Sequence, residues 1–230
     1  MKKYIVKYTL EFLVIVLGIS VSFYINEVRK SRELVDLSKN IQKNLLNEVY
    51  DIEKYIQERE AVFSLDKKAI SSIINLEISP DSLIQLHHLR KFNLISTIFN
   101  YRGFKPPASV YNSIINDGSL RYLESLSVKE ELDKMHNVLF YFITENIEDE
   151  KIAKNKIVEY VQIHYPDIYL NLFTKKIENL KKFKKIIRKD PTLRAFVFEK
   201  GMTMGLKNGG IKKYKNSLEK IKNVLLKKEL

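Results

Sequence analysis

The chain has 230 residues, of which 45% are hydrophobic and 30% charged, with 5 Pro, 7 Gly and a formal net charge of +12. That composition excludes a disordered or low-complexity polypeptide and suffices for a domain with its own core. It contains no cysteine, which excludes disulfides and thiolate metal sites.

Residues 1–7 form a short basic tail with Lys2, Lys3 and Lys7. Residues 8–25, YTLEFLVIVLGISVSFYI, follow as an apolar run with one charge, Glu11. At 1.5 Å per helical residue, such a run is about the length needed to cross a bilayer core of roughly 30 Å. The competing readings are a buried core helix, which would not carry lysines before it and a basic segment directly after, and a cleavable signal peptide, with Ser20 and Ser22 as small residues at a cleavage site. However, Phe23, Tyr24 and Ile25 carry the apolar run past that site, and Glu11 falls inside it. The expectation is a retained single-pass membrane anchor. Lys2, Lys3 and Lys7 before the span balance Arg29, Lys30 and Arg32 after it, so orientation leans only slightly toward a body outside the cytoplasm.

Within the span, Glu11 reads either as a snorkelling acid paired with Lys7 one turn away or as a proton-handling or partner-binding group. Gly18 and Ser22 form a small-xxx-small pair that permits close helix approach. Glu11, Gly18 and Ser22 are therefore the candidate residues for helix association in the membrane.

From residue 26 to about 77 there is neither Pro nor Gly. Leu34, Leu37, Ile41, Leu45, Val49, Ile52 and Ile56 recur close to the 3.6-residue period. The spacing predicts one long amphipathic helix continuing directly from the span. Ser79-Pro80-Asp81 stops it and opens a second helix over residues 81–100. The proline pair of residues 102–107 makes a loop. A short helix over residues 109–116 ends at Asp117-Gly118, where Gly118 suits a left-handed C′ position. Ser127 and Glu130 have capping-box spacing and open a helix running to about His164, interrupted by Pro166. Asp190-Pro191 is a further start signal. Residues 201–210, with four glycines, read as a flexible joint. After them Ile211, Tyr214, Leu218, Ile221 and Leu225 give a heptad-like seam for a final helix.

No segment alternates with period two, so the expected fold is all-α. A transmembrane helix (8–25) continues into a soluble helical domain (26–230), an elongated bundle divided into a long helix (26–77), central helices (81–174) and basic C-terminal helices (175–230). The last of these carries 18 Lys/Arg against 5 Asp/Glu, which is the whole positive excess. Lys181, Lys182, Lys184 and Lys185 are the candidate basic surface, for anionic lipid, nucleic acid or an acidic protein, or simply a solvated face. Nucleic acid is the weakest of these, because aromatic residues are not interleaved with arginine.

No pattern of catalytic or cofactor-binding residues stands out. His87 and His88 are adjacent and diverge on a helix, and His136 and His164 stand apart. The glycine run lacks the Gly-Lys-Ser/Thr ending of a phosphate loop. No cofactor or metal is expected, and an enzyme is the third reading after an interaction module and a surface-binding module.

Glu11-Phe12 through Ile15, Gly18 and the Ile25-Asn26 exit, then Tyr111 through Asp117-Gly118-Ser119-Leu120, then Asp190-Pro191, resemble an uncharacterised bacterial family of single-span membrane proteins, a domain of unknown function. The likeness spans nearly the whole chain, although Val28 stands where that family carries Trp. What the resemblance implies is architecture alone: a short tail, one span and a helical body. The expected function is a membrane-anchored module whose partners are the bilayer and another protein, or a second copy, met through the span or the body.

Overall fold

The apolar segment and the amphipathic stripe lie on one uninterrupted helix, α1, Lys2–Ile74. This is seen in a computed structural model that describes residues 2–90, 94–172 and 177–227. The side chains of Lys2, Lys3, Lys7, Leu86, His87, His88 and Leu89 lie outside the described residues. Without Pro or Gly after Gly18, nothing in the sequence interrupts the hydrogen-bond ladder of α1. Residues 10–37 are exposed apart from half-buried Val28; Ser38 is the first buried position. Leu34 and Leu37 therefore lie outside the core, while Ile41, Leu45, Val49, Ile52 and Ile56 are buried in it.

Eight further helices fold back along α1 among the described residues. They are α2 (Pro80–Arg90), α3 (Leu94–Phe99), α4 (Ser109–Asn116), α5 (Leu126–Asp133), α6 (Phe140–His164), α7 (Pro166–Leu172), α8 (Ile177–Lys189) and α9 (Pro191–Lys227). No strand occurs among the described residues, and the fold is an all-α bundle. α9 runs antiparallel to α1, since Gly201 meets Ile70 whereas Lys222 pairs with Glu53. It also runs antiparallel to α6, where Lys156 pairs with Glu199 and Gly210 meets Phe142.

Several boundaries differ from the sequence reading, each for a local reason. α1 ends at Ile74, three residues early. The segment expected as one helix over 81–100 divides into α2 and α3, with residues 91–93 outside the described residues. The N-cap of α5 is Ser125 rather than Ser127. Ser125 has the extended backbone a cap requires, and its hydroxyl accepts from Val128 N–H, while Ser127 is already helical. Between α5 and α6 the helix widens into a π turn over Lys134–Leu139. Pro166 stops α6 but begins α7, because a proline at the first helical position loses no hydrogen bond.

The glycine run is not a joint. Residues 201–210 lie inside α9, a single helix of 37 residues. Two of the glycines are there for close approach. A Cβ on Gly201 would sit 2.8 Å from Ile70 Cγ2, and one on Gly210 would sit 2.8 Å from Ile143 Cγ1. Helix packing therefore outweighs the roughly 1 kcal/mol that a helical glycine costs. Gly118, by contrast, holds the left-handed conformation that ends α4, with φ +70°.

Candidate functional site

Among the described residues, α1 is the one helix long and apolar enough to cross a membrane, and none of its apolar window is buried. Leu10, Phe12, Phe23 and Tyr24 each expose more than 60% of their surface. Single exposed apolar residues are ordinary, but a continuous exposed helical surface of this size marks a lipid- or partner-facing element. Glu11, Gly18 and Ser22 are spaced by seven and four residues, which places them within about 40° of one another on one helix face. Ser22 Oγ donates to Gly18 O at 2.8 Å, which satisfies the hydroxyl inside the helix, and no atom lies within 4 Å of a Cβ built on Gly18. The face is open to another helix.

The bundle itself has two apolar cores with a charged layer between them. One core surrounds Ile52, Leu132, Ile143, Tyr214 and Leu218; the other surrounds Ile70, Ile98, Ile157, Phe183 and Val197. On each long helix a charged residue interrupts the buried stripe between the two, Asp66 on α1, Glu150 on α6 and Lys207 on α9, while Lys200 lies earlier on α9, between Val197 and Met204 of the second core. Lys207 Nζ donates to Glu150 Oε2, and Lys200 Nζ lies 3.6 Å from Glu150 Oε1. The lysines also hold the segment after α3: Lys200 donates to Asn100 O, and Lys207 to Arg102 O at 3.4 Å. The Arg102 side chain in turn pairs with Asp66, which accepts from Thr97 Oγ1 at 3.1 Å. Burial draws Lys200 down to about 8, with the Lys207 charge adding to the effect and Glu150 opposing it. Every group in this cluster has a partner within the protein. The arrangement locks α1, α6, α9 and the 100–102 segment in register, the use for which buried ionic groups are best attested.

The four lysines singled out from the sequence do not form one surface. Lys184 is fully buried, which corrects its assignment to the basic face. Its ammonium donates to the carbonyl oxygens of Ser72, Ile73 and Asn75 at 2.9, 2.6 and 2.7 Å. It closes the C-terminus of α1, where carbonyls otherwise lack donors. Burial brings this lysine down to about 8. Lys181 is half-buried and pairs with Asp81 at 2.6 Å, while Lys182 and Lys185 are exposed.

At the opposite end, buried Glu48 of α1 accepts from Val110 N at 2.7 Å and Tyr111 N at 2.9 Å, the first amides of α4. A carboxylate at a helix N-terminus satisfies orphan amides and meets the positive end of the dipole. Nearby, the His136 ring stacks on Tyr111 with centroids 3.7 Å apart. Burial lowers its pKa to about 4, so it is neutral at physiological pH. No group of three or more His, Asp or Glu side chains is placed to hold a metal among the described residues.

The glycine run concealed the main signal. Read as helix, Leu193, Val197, Lys200, Met204, Lys207 and Ile211 recur at alternating steps of four and three and would have put both lysines on the buried stripe. Glu48 and Lys184 had no such signal, since their partners lie 62 and 111 positions away.

The chain matches no family model, no curated protein and no solved structure.

Proposed function

We propose that the protein is a membrane-anchored helical interaction module: the first part of α1 crosses a bilayer, and the remainder holds the bundle at a fixed reach from it. The observation that carries this reading is the continuity of α1. An exposed apolar segment of membrane length passes into the buried spine of the bundle with no break. From residue 25 to Ile74 the helix rises about 70 Å. A flexible linker would tether a domain, whereas this helix also sets its height. The resemblance to single-span bacterial proteins supports an inner-membrane anchor, and the slight charge lean between Lys2, Lys3 and Lys7 and Arg29, Lys30 and Arg32 favours a body outside the cytoplasm.

Partners would be met in two places: laterally in the bilayer through the Glu11, Gly18 and Ser22 face, or at height through the body. Docking of the α8 lysines Lys181, Lys182 and Lys185 on the host membrane is disfavoured by geometry. α8 packs at the far end of α1, where Lys184 caps it, far from the lipid surface. The test is fractionation. The full chain should stay with membranes after alkaline carbonate and leave them only with detergent. Replacing residues 8–25 with an unrelated apolar helix separates the two contact modes. Partners lost on the exchange bind the span, and partners retained bind the body.

A further inference from the structure

We propose that the protein forms a parallel two-fold dimer in the membrane, in which the outer face of α9 packs against the same face of a second copy. The inference rests on the membrane-anchored reading, because the anchor is what orients the two copies.

Opposite its buried stripe, α9 carries a second seam. Ala195, Phe198, Met202, Gly205 and Gly209 are spaced 3, 4, 3, 4, the a/d pattern that keeps one helix face against a parallel partner. Leu206 lies beside it. Phe198, Met202 and Leu206 are 52%, 54% and 51% exposed, although the core of this bundle uses residues of the same kind. Toward the membrane the seam gives way to Lys213, Asn216 and Lys220, all exposed.

The flanks of the seam carry opposite charge at the same height. On the α1 side, Lys67 and Lys212 line one hollow, and Lys67 Nζ lies 4.0 Å from a Cβ placed on Gly205. On the α6 side, Glu145 and Asp149 line another hollow beside Phe142, whose ring meets Gly210. None of these four charges forms an ion pair within the chain among the described residues. Anchoring both copies in one bilayer restricts a two-fold axis to the membrane normal, and such an axis preserves height. It also sets the α6 flank of each copy opposite the α1 flank of the other. Glu145 and Asp149 of one copy would thus face Lys67 and Lys212 of its partner, twice over. Charge pairing of this kind selects orientation and excludes other partners. Confinement of both copies to one bilayer by the anchor raises their effective concentration for this contact.

A chain without cysteine makes the test direct. Met202→Cys and Phe198→Cys, each the sole cysteine of the full-length protein in its native membrane, should form a same-site disulfide dimer under mild oxidation. Ile163→Cys, exposed on the α6 flank and so set toward the partner's α1 flank rather than toward its own counterpart, should stay monomeric. Asp149→Lys should reduce the Met202→Cys dimer at least several-fold, and adding Lys67→Glu with Lys212→Glu should restore it. Membrane-resident protein with no seam disulfide overturns the dimer and leaves the anchor intact. So do equal cross-linking at residue 163, or a seam cysteine joined to a protein of different mass. Protein recovered in the aqueous fraction overturns the anchor instead.

Discussion

Lys184 Nζ lies 2.6 Å from the carbonyl oxygen of Ile73, in the last turn of α1. One side chain from α8 thereby ends the helix that carries the apolar segment. Lys184→Met keeps the apolar stem but leaves three carbonyls without their donor. A buried unsatisfied polar group costs about 1–3 kcal/mol, so a loss of about 2–4 kcal/mol is expected for the set. Lys182→Met, two residues away and exposed, should change stability by less than about 0.5 kcal/mol. Thermal unfolding of the two variants followed by circular dichroism in one detergent gives the comparison.

The charged layer should respond according to whether it is broken or replaced. Glu150→Leu alone strands Lys200 and Lys207 in a buried site and should cost about 3–5 kcal/mol. The triple variant Glu150→Leu, Lys200→Met, Lys207→Met removes the charges together and should recover most of that loss. If the single variant is as stable as the parent, the layer does not lock the helices.

Gly201 and Gly209 sit in the same helix and should behave oppositely. A Cβ at residue 201 meets Ile70 at 2.8 Å, and nothing lies within 4 Å of one at residue 209. Gly201→Ala should destabilise by about 1–3 kcal/mol through overpacking, whereas Gly209→Ala should stabilise by up to about 1 kcal/mol through helix propensity. Melting temperatures moving in the same direction would contradict the packing described for α9.

These positions also show what was legible in the sequence. The exposed apolar helix, the 3.6-residue stripe of α1, the Gly118 turn and the Asp190-Pro191 start could be read because each depends on neighbours a few residues apart. Ser125 was passed over because Ser127 and Glu130 offered the better motif two positions on. The glycine run was misread because glycine has two opposed uses, freedom in a loop and thinness in a helix contact, and only the facing Ile70 and Ile143 decide between them. Lys184 and Glu48 act on backbone groups of distant segments, which leave no pattern along the chain.

His136 gives a pH dependence with a defined sign. Its folded pKa of about 4, lowered from 6.5 by burial, means the unfolded chain binds the extra proton first. Stability from this group is complete above pH 6.5 and falls as pH drops toward 4, by about 3 kcal/mol at most. His136→Phe preserves the stack on Tyr111 and should flatten the stability curve between pH 6.5 and 4. An unchanged slope would show that the imidazole is not held neutral.

In the proposed arrangement one unbroken helix, α1, sets the height of the bundle above the membrane. With a fluorophore on a single cysteine and an acceptor on lipid headgroups, energy transfer should be strong for Glu27→Cys and weak for Glu77→Cys, which α1 holds about 70 Å further out. Equally strong transfer from both positions would mean that α1 bends or lies along the surface, and would contradict the account.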